Sequence, residues 1–132
     1  MATPPKAPGV IAVLVTCPTR QVGEKIGRAL VEERLAACVN IVPGLLSIYR
    51  WQGKLCRDRE LLLIVKTQRT RFPGMARRIA SLHPYSVPQI LAVPIARGNP
   101  PYLAWVREST TLRNPRRGGT ASPPVRRGRT AK

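Results

Sequence analysis

The chain has few of the side chains that enzymes use for acid–base chemistry. It contains one histidine and six acidic residues, against 23 lysines and arginines in 132 residues. The sequence has no GxSxG, HExxH or phosphate-loop motif, and no acidic residue lies near His83 in sequence to orient its ring. We therefore predict a protein that is not an enzyme.

Cysteines are also few, and their spacing excludes two kinds of site. Cys17, Cys38 and Cys56 are widely separated and form no CxxC pair, which argues against a disulfide framework and against a zinc knuckle. The apolar run near the N-terminus, VIAVLV, is too short for a signal segment or a membrane span. We expect a cytoplasmic protein without a membrane span.

Only six residues are aromatic, so the core must be built mainly from Val, Ile, Leu and Ala, which favours β-sheet. The length allows one domain. We expect it to span residues 10–112, after a flexible N-terminus over residues 1–9 and before a disordered basic tail over residues 113–132. The tail carries seven basic groups and no acid, and its apolar side chains are too few to offset its ordering entropy.

Charge is divided unequally between the tail and the rest of the chain. Residues 1–112 contain 16 basic and six acidic groups, a net charge of +10. The tail is either a solvated extension or an electrostatic contact to RNA, DNA or anionic lipid, and charge alone gives only non-specific binding to nucleic acid.

The apolar pattern predicts alternating strands and helices. Residues 10–17 form a strand-length apolar run, and Thr19 is an expected N-cap for an amphipathic helix over residues 20–35. Residues 37–51 and 54–67 read as two long strands around a tight Gln52-Gly53 turn, with a bulge at Pro43-Gly44.

The second half of the chain repeats the alternation. The face shared by Phe72, Met75, Ile79 and Leu82 predicts a second helix, for which Thr70 is a possible cap and which Pro84 ends at His83. Residues 89–96 form a fourth strand, and Asn99 opens a short final helix. The order β-α-β-β-α-β plus a terminal helix predicts an α+β fold of the ferredoxin-like, split βαβ type with an antiparallel sheet.

Two features of the predicted sheet call for another chain. Its strands are apolar at consecutive positions, so both faces must be buried, while one chain supplies helices for only one of them. The hairpin strands, at about 3.3 Å per residue, are too long for the sheet to flank, so part of the hairpin must overhang. We expect self-association; the alternative is a twisted hairpin closed by its own terminal helix.

A two-residue turn also predicts which side chains of the outer hairpin share a side. Residue 51 then faces 54, 49 faces 56, 47 faces 58 and 45 faces 60. One side carries aromatic and acidic residues, and the reverse side carries three arginines. The first set is Tyr49, Trp51, Lys54, Asp58 and Glu60, and the second is Arg50, Arg57 and Arg59.

Five segments resemble, in order and spacing, the signature segments of the CutA family of divalent-ion tolerance proteins. They are EERLAACVNIVPG, SIYRWQGK, ELLLIVKT, HPYSVPQILAVPI and YLAWV, and the resemblance covers roughly residues 10–108. It implies a cytoplasmic homotrimer of ferredoxin-like subunits with a PII-like assembly. It also implies a role in tolerance of copper and other divalent metals, with no established catalytic activity.

The resemblance implies two candidate sites. Copper ligands of a bacterial member correspond here to Val15, Leu82 and His83, so only His83 is retained, and Cys17 is an expected substitute at the end of the first strand. Cys17 is otherwise a small buried hydrophobe. A ligand-binding or purely structural cleft at subunit boundaries is implied by the family's shared polar residues, which are Tyr49, Trp51, Glu60, Lys66, His83 and Tyr85.

Within that cleft, Lys66 is expected to meet Glu60 of the same or another chain, because a buried lysine needs a partner. Cys38 and Cys56 are assigned to packing. His83 is expected beside a subunit boundary, hydrogen-bonded rather than bound to metal.

Two other functions remain open at this stage. The RNA-recognition module has the same element order, but its central strands carry base-stacking aromatics that residues 10–17 and 61–67 lack. A PII-like sensor of a small anion or nucleotide in the intersubunit cleft would suit the +10 charge of residues 1–112.

Overall fold

A computed structural model describes residues 9–112. The expected basic tail lies outside these residues, as does the expected flexible N-terminus except for Gly9. The elements follow in the order β1 (Val10–Cys17), α1 (Arg20–Glu32), β2 (Cys38–Trp51), β3 (Lys54–Gln68), α2 (Phe72–Leu82), β4 (Ile90–Pro94) and α3 (Pro100–Ser109), with a short 3-10 turn at Arg69–Arg71 before α2.

The four strands form one antiparallel sheet in the order β2-β3-β1-β4. With α1 and α2 as the two crossovers, this is the predicted α+β, ferredoxin-like fold. Gln52 and Gly53 both have positive φ, of 51° and 81°, as a two-residue hairpin turn requires. The hairpin register shifts between Val42 and Leu45, which confirms the bulge at Pro43-Gly44.

The hairpin extends well beyond the rest of the sheet. β1 pairs only with the second half of β3, from Leu61 to Gln68, so the outer half of β3 is paired with β2 alone. The predicted register is confirmed, with Trp51 opposite Lys54 and Tyr49 opposite Cys56. The overhang predicted from strand length is therefore present.

Helix α1 begins and ends by local hydrogen bonding. The Thr19 hydroxyl accepts from the Val22 N–H at 3.2 Å, which confirms the predicted cap. The helix ends at Glu32 rather than at Leu35, because Arg34 takes a φ of 60° and the Leu35 N–H turns back to the Leu30 carbonyl at 2.9 Å. Glycine usually takes this conformation at a helix end, so an arginine here gave no sequence signal for the end of α1.

Helix α2 has a different start from the one predicted. The 3-10 turn at Arg69–Arg71 precedes it, and no side chain caps its N-terminus, so Thr70 is not a cap. Pro73 lies in the first turn, where its missing N–H costs nothing. His83 has extended backbone, with φ −85° and ψ 137°, and ends the helix before Pro84 as predicted.

One face of the sheet packs against α1 and α2 and forms the main core. Val13, Val15, Leu63 and Val65 are fully buried there. They pack with the buried side chains of both helices, which are Ile26, Leu30, Met75 and Ile79.

Helix α1 lies close to this covered face because two of its residues are glycines. A methyl group at Gly23 would lie 3.3 Å from the Leu63 side chain, and one at Gly27 would lie 3.3 Å from Val39. Both glycines are buried. Larger side chains here would push the helix outward or force its neighbours to move.

The opposite face is apolar and largely open, and we call it the open face. Leu91 and Val93 of β4 are 55% and 43% exposed, and Val42 of β2 is 37% exposed. Leu62 and Ile64 of β3 are half-buried between them.

The expectation that no helix of the chain covers this face was wrong at one end of it. Helix α3 packs there, where Leu103 and Val106 bury Val10 and Ala37. The remainder of the face has no cover within residues 9–112. Helix α3 leaves the overhanging part of the hairpin open, so it does not close the hairpin as the alternative supposed.

Candidate functional site

The overhanging hairpin, the end of β1 and the crossover from α2 to β4 enclose a cleft of about 530 Å³. Residues 85–89 of the crossover form one wall, and Thr16 forms the floor at the end of β1. Tyr49, Trp51 and Glu60 line the hairpin side. This volume suits a small organic ligand rather than a bare ion.

Glu60 is the charged group of the cleft. Its side chain is 9% exposed, and Oε2 accepts a hydrogen bond from the Tyr85 hydroxyl at 2.7 Å. Burial and the bond to Glu60 raise the pKa of Tyr85 above its ordinary value, so this phenol remains a neutral donor. No ion pair to Glu60 forms within residues 9–112.

A second tyrosine–carboxylate pair lies further out on the hairpin. The Tyr49 hydroxyl donates to the Asp58 carboxylate, and this bond is the main cause that raises the pKa of Tyr49 to about 12. Because both phenols donate to carboxylates, their rings are held in place at the cleft. Tyr49 and Trp51 are both partly exposed, so their apolar surfaces are accessible to a ligand.

His83 lies beside the cleft and is fully engaged with the backbone. Nε2 lies 2.8 Å from the Thr16 carbonyl, and Nδ1 lies 3.2 Å from the Tyr85 N–H. A carbonyl accepts and an N–H donates, so Nε2 carries the proton and Nδ1 uses its lone pair. The prediction of a hydrogen-bonded His83 is confirmed, and the ring fixes the crossover against the end of β1.

The residues present do not fit the metal site that the resemblance implied. Cys17 is fully buried, and burial together with Glu60 raises the pKa of its thiol to about 11, which keeps it protonated at neutral pH. His83 offers no free lone pair. Over residues 9–112, no three His, Cys, Asp or Glu side chains lie close enough together to hold a metal ion.

Lys66 is separated from the other five residues of the expected cleft. It is half-buried and donates to the Asn40 side-chain oxygen, not to a carboxylate. It lies six positions along β3 from Glu60, a distance of about 20 Å at strand spacing. The expected Lys66–Glu60 pair is therefore absent within one chain; pairing with another chain stays a prediction.

The structure adds cleft residues that the sequence did not single out. Thr16, Ser47, Val87 and Gln89 line it together with the predicted aromatic residues. Thr16 could have been found from strand pairing, since it lies one residue before the end of β1 and opposite Leu62, and so approaches Glu60. The crossover residues carried no signal, because their position depends on how residues 83–89 fold back over the sheet.

Comparison with known proteins identifies relatives of this chain. A family profile described as "CutA1 divalent ion tolerance protein" matches residues 11–109. The chain belongs to the CutA family. It is 61% identical over 98 residues to the "Divalent-cation tolerance protein CutA" of Thermus thermophilus, an alignment that covers 74% of this chain and 95% of that protein.

Other members of the CutA family are similar over most of the described domain. The mouse "Protein CutA" is 45% identical over 128 residues, which cover 91% of this chain and 71% of that protein. A solved structure of the Thermus thermophilus protein superposes with a TM-score of 0.76 at 59% identity, over 77% of this chain and 99% of that chain. The family is one of divalent-cation tolerance and not a known enzyme family.

None of the helices within residues 9–112 is both long enough and apolar enough to span a membrane.

Proposed function

We propose that this protein is a non-enzymatic, cytoplasmic homotrimer that acts in tolerance of divalent metal ions such as copper, with a small-ligand cleft at its subunit boundaries. Family membership supports the role in tolerance, since relatives carry that description. Three free cysteines at Cys17, Cys38 and Cys56 support a reducing compartment. Copper is the ion to which the protein responds rather than a resident ligand, because no group of three metal-ligating side chains in residues 9–112 of one chain includes Cys17 or His83.

The open face is the observation that carries the proposal of assembly. Leu91 and Val93 of β4 are exposed, and Leu14 of β1 lies between Leu91 and Ile64 of β3, which gives a continuous apolar surface on a water-facing sheet. Large exposed apolar patches mark interaction surfaces, and an overhanging hairpin is an unprotected edge. A symmetric assembly would cover both features with copies of the same chain.

The side chains that line the cleft favour a cation over the small anion that the +10 net charge of residues 1–112 suggested. Glu60 is its charged lining residue, and no lysine or arginine of residues 9–112 lines it. The nearby arginines Arg50, Arg57 and Arg59 lie on the reverse side of the hairpin. Within residues 9–112 of one chain, the cleft therefore offers a PII-like anion ligand no basic group among its lining residues.

Solution mass tests the assembly. We expect about three times 14.6 kDa for the full chain. Leu91→Lys should lower this to a single chain, because it places a charge on the open face, where a neighbouring subunit would bury it. Val31→Lys is the matched control, since Val31 is a 42% exposed apolar residue on α1 and outside the open face. A single-chain mass for the unmodified protein would contradict the proposal.

Growth in copper tests the role in tolerance. Expression in a copper-sensitive bacterial strain should raise the copper concentration that the cells tolerate, and Leu91→Lys should remove this effect while Val31→Lys retains it. Equal tolerance with and without expression of the chain would contradict a role in divalent-ion tolerance.

A further inference from the structure

The cleft contains a nearly buried carboxylate that forms no ion pair within residues 9–112. Glu60 is 9% exposed, and the Tyr85 hydroxyl is its one hydrogen-bond donor among the described residues. A neutral phenol lowers the cost of burying a carboxylate but does not cancel its charge. A positively charged group in the cleft would supply what is missing.

Three aromatic side chains define the space next to that charge. Tyr49, Trp51 and Tyr85 all line the cleft, and the pKa of Tyr85 is raised in part by Tyr49 and Asp58, which places these groups near one another. Aromatic faces attract cations through the ring quadrupole, and tryptophan does so best. The two hydroxyls are already used in bonds to Asp58 and Glu60, and one side of the Tyr85 ring packs against His83, with ring centroids 4.7 Å apart. A ligand would therefore meet the exposed faces of Tyr49 and Trp51 and the remaining side of Tyr85.

Cleft size and ligand count separate an organic cation from a metal ion. A volume of about 530 Å³ is far larger than a bare metal ion needs, and a Zn²⁺ or Cu²⁺ site requires three or more ligands. Glu60 is the carboxylate that lines the cleft, and the described residues contain no group of three metal-ligating side chains. Ammonium groups bearing alkyl chains instead gain from both aromatic faces and a carboxylate.

We propose that the cleft binds a small organic cation, an alkylammonium, with Glu60 as its counter-ion and Tyr49, Trp51 and Tyr85 around its charge. The proposal rests on the ligand-binding role proposed for this cleft. Every group that it uses comes from one chain. The hydroxyls of Thr16 and Ser47 are further acceptors for an ammonium N–H.

Trp51 provides a direct reporter of binding. The chain has two tryptophans, and Trp105 packs with Tyr102 on α3, away from the cleft. We would therefore titrate full-length Trp105→Phe protein with n-butylammonium chloride and follow Trp51 fluorescence. Saturable quenching is expected, while the neutral analogue 1-pentanol and the anion butyrate should cause none.

Glu60→Gln tests the counter-ion while preserving side-chain shape. It should weaken n-butylammonium binding by about thirtyfold or more, as expected for loss of one partner of a buried charge pair. Glu24→Gln is the matched control, because Glu24 is an exposed acid on α1. Glu60→Gln folding is checked by thermal melting, and if it fails to fold, Trp51→Leu at an exposed position should abolish the binding measured by NMR saturation transfer.

Three results would overturn the proposal. They are no quenching by n-butylammonium, quenching that Glu60→Gln leaves unchanged, and ZnCl₂ or CuCl₂ binding through Glu60 in place of n-butylammonium. If n-butylammonium does not bind, but the protein has a trimeric mass and a lysine of a neighbouring subunit contacts Glu60, the proposed assembly stands and the proposed ligand does not. A single-chain mass together with Glu60-dependent quenching would support the proposed ligand and contradict the proposed assembly.

Discussion

The two faces of the sheet are built from similar side chains but have different surroundings. Leu62 and Leu63 are neighbours on β3, yet Leu63 is fully buried under α1 and α2 while Leu62 is half-buried on the open face. Strands buried on one face normally alternate apolar with polar residues. The open face does not, so its composition reflects a cover that residues 9–112 do not supply except at α3.

The largest expected effect contrasts these two leucines directly. In dilute Leu91→Lys protein, which we expect to be a single chain, Leu63→Ala should lower the free energy of unfolding by about 2–5 kcal/mol, because it leaves a cavity in the core. Leu62→Ala should cost about 1 kcal/mol, because water already reaches part of that side chain. Urea denaturation measures both.

In the assembled protein, Leu63→Ala and Leu62→Ala should lower the free energy of unfolding by more similar amounts, since the open face is then buried. Equal costs in the single chain would break the comparison, because they would show that the open face is covered without self-association.

Cysteine titration provides the next test of the covered face. The pKa of Cys17 is raised from 9.0 to about 11, so the folded state retains its proton more tightly than the unfolded state. This contribution is complete below pH 9 and is lost as the pH rises from 9 to 11. The free energy of unfolding should fall by about 1–3 kcal/mol over that range.

In Cys17→Ala protein, the free energy of unfolding should not show this fall between pH 9 and 11. An equal fall in the variant and the unmodified protein would show that Cys17 is not its cause. At pH 8, iodoacetamide should label the half-buried Cys56 before Cys17, as mass spectrometry of the folded protein would show.

The smallest effect concerns the helix that covers this face. Thr19→Ala removes the hydroxyl that caps α1 and should lower the free energy of unfolding by about 1 kcal/mol. Thr70→Ala is the matched control, because Thr70 is exposed and caps no helix, so its change should stay within about 0.5 kcal/mol. Thermal melting of both variants measures the difference. Equal losses would restore Thr70 as a cap.

The fold was largely predictable because its signals are local. Gln52-Gly53 is a turn whatever surrounds it, and Pro84 prevents helix at His83 in any context. The missed boundaries have local causes that carry no sequence signature. Arg34 takes a conformation usual for glycine, and a 3-10 turn occupies the place of the expected cap at Thr70.

The candidate site was predictable only in part. The hairpin register placed Tyr49, Trp51 and Glu60 on one side, because pairing across a two-residue turn is determined by counting. The same counting argues against Lys66 and Glu60 as a pair, since both lie on β3. The hydrogen bonds of both His83 nitrogens and the position of the crossover wall were seen only in the tertiary structure.

By itself, the sequence determined the order of the strands and helices, the hairpin register and the apolar character of both sheet faces, because each depends on side-chain periodicity and turn chemistry within a few residues. The tertiary structure decided the rest. Distant segments had to meet before α3 could cover one end of the open face, before His83 could engage the end of β1, and before the Glu60 charge could lie in an aromatic cleft without a counter-ion from residues 9–112.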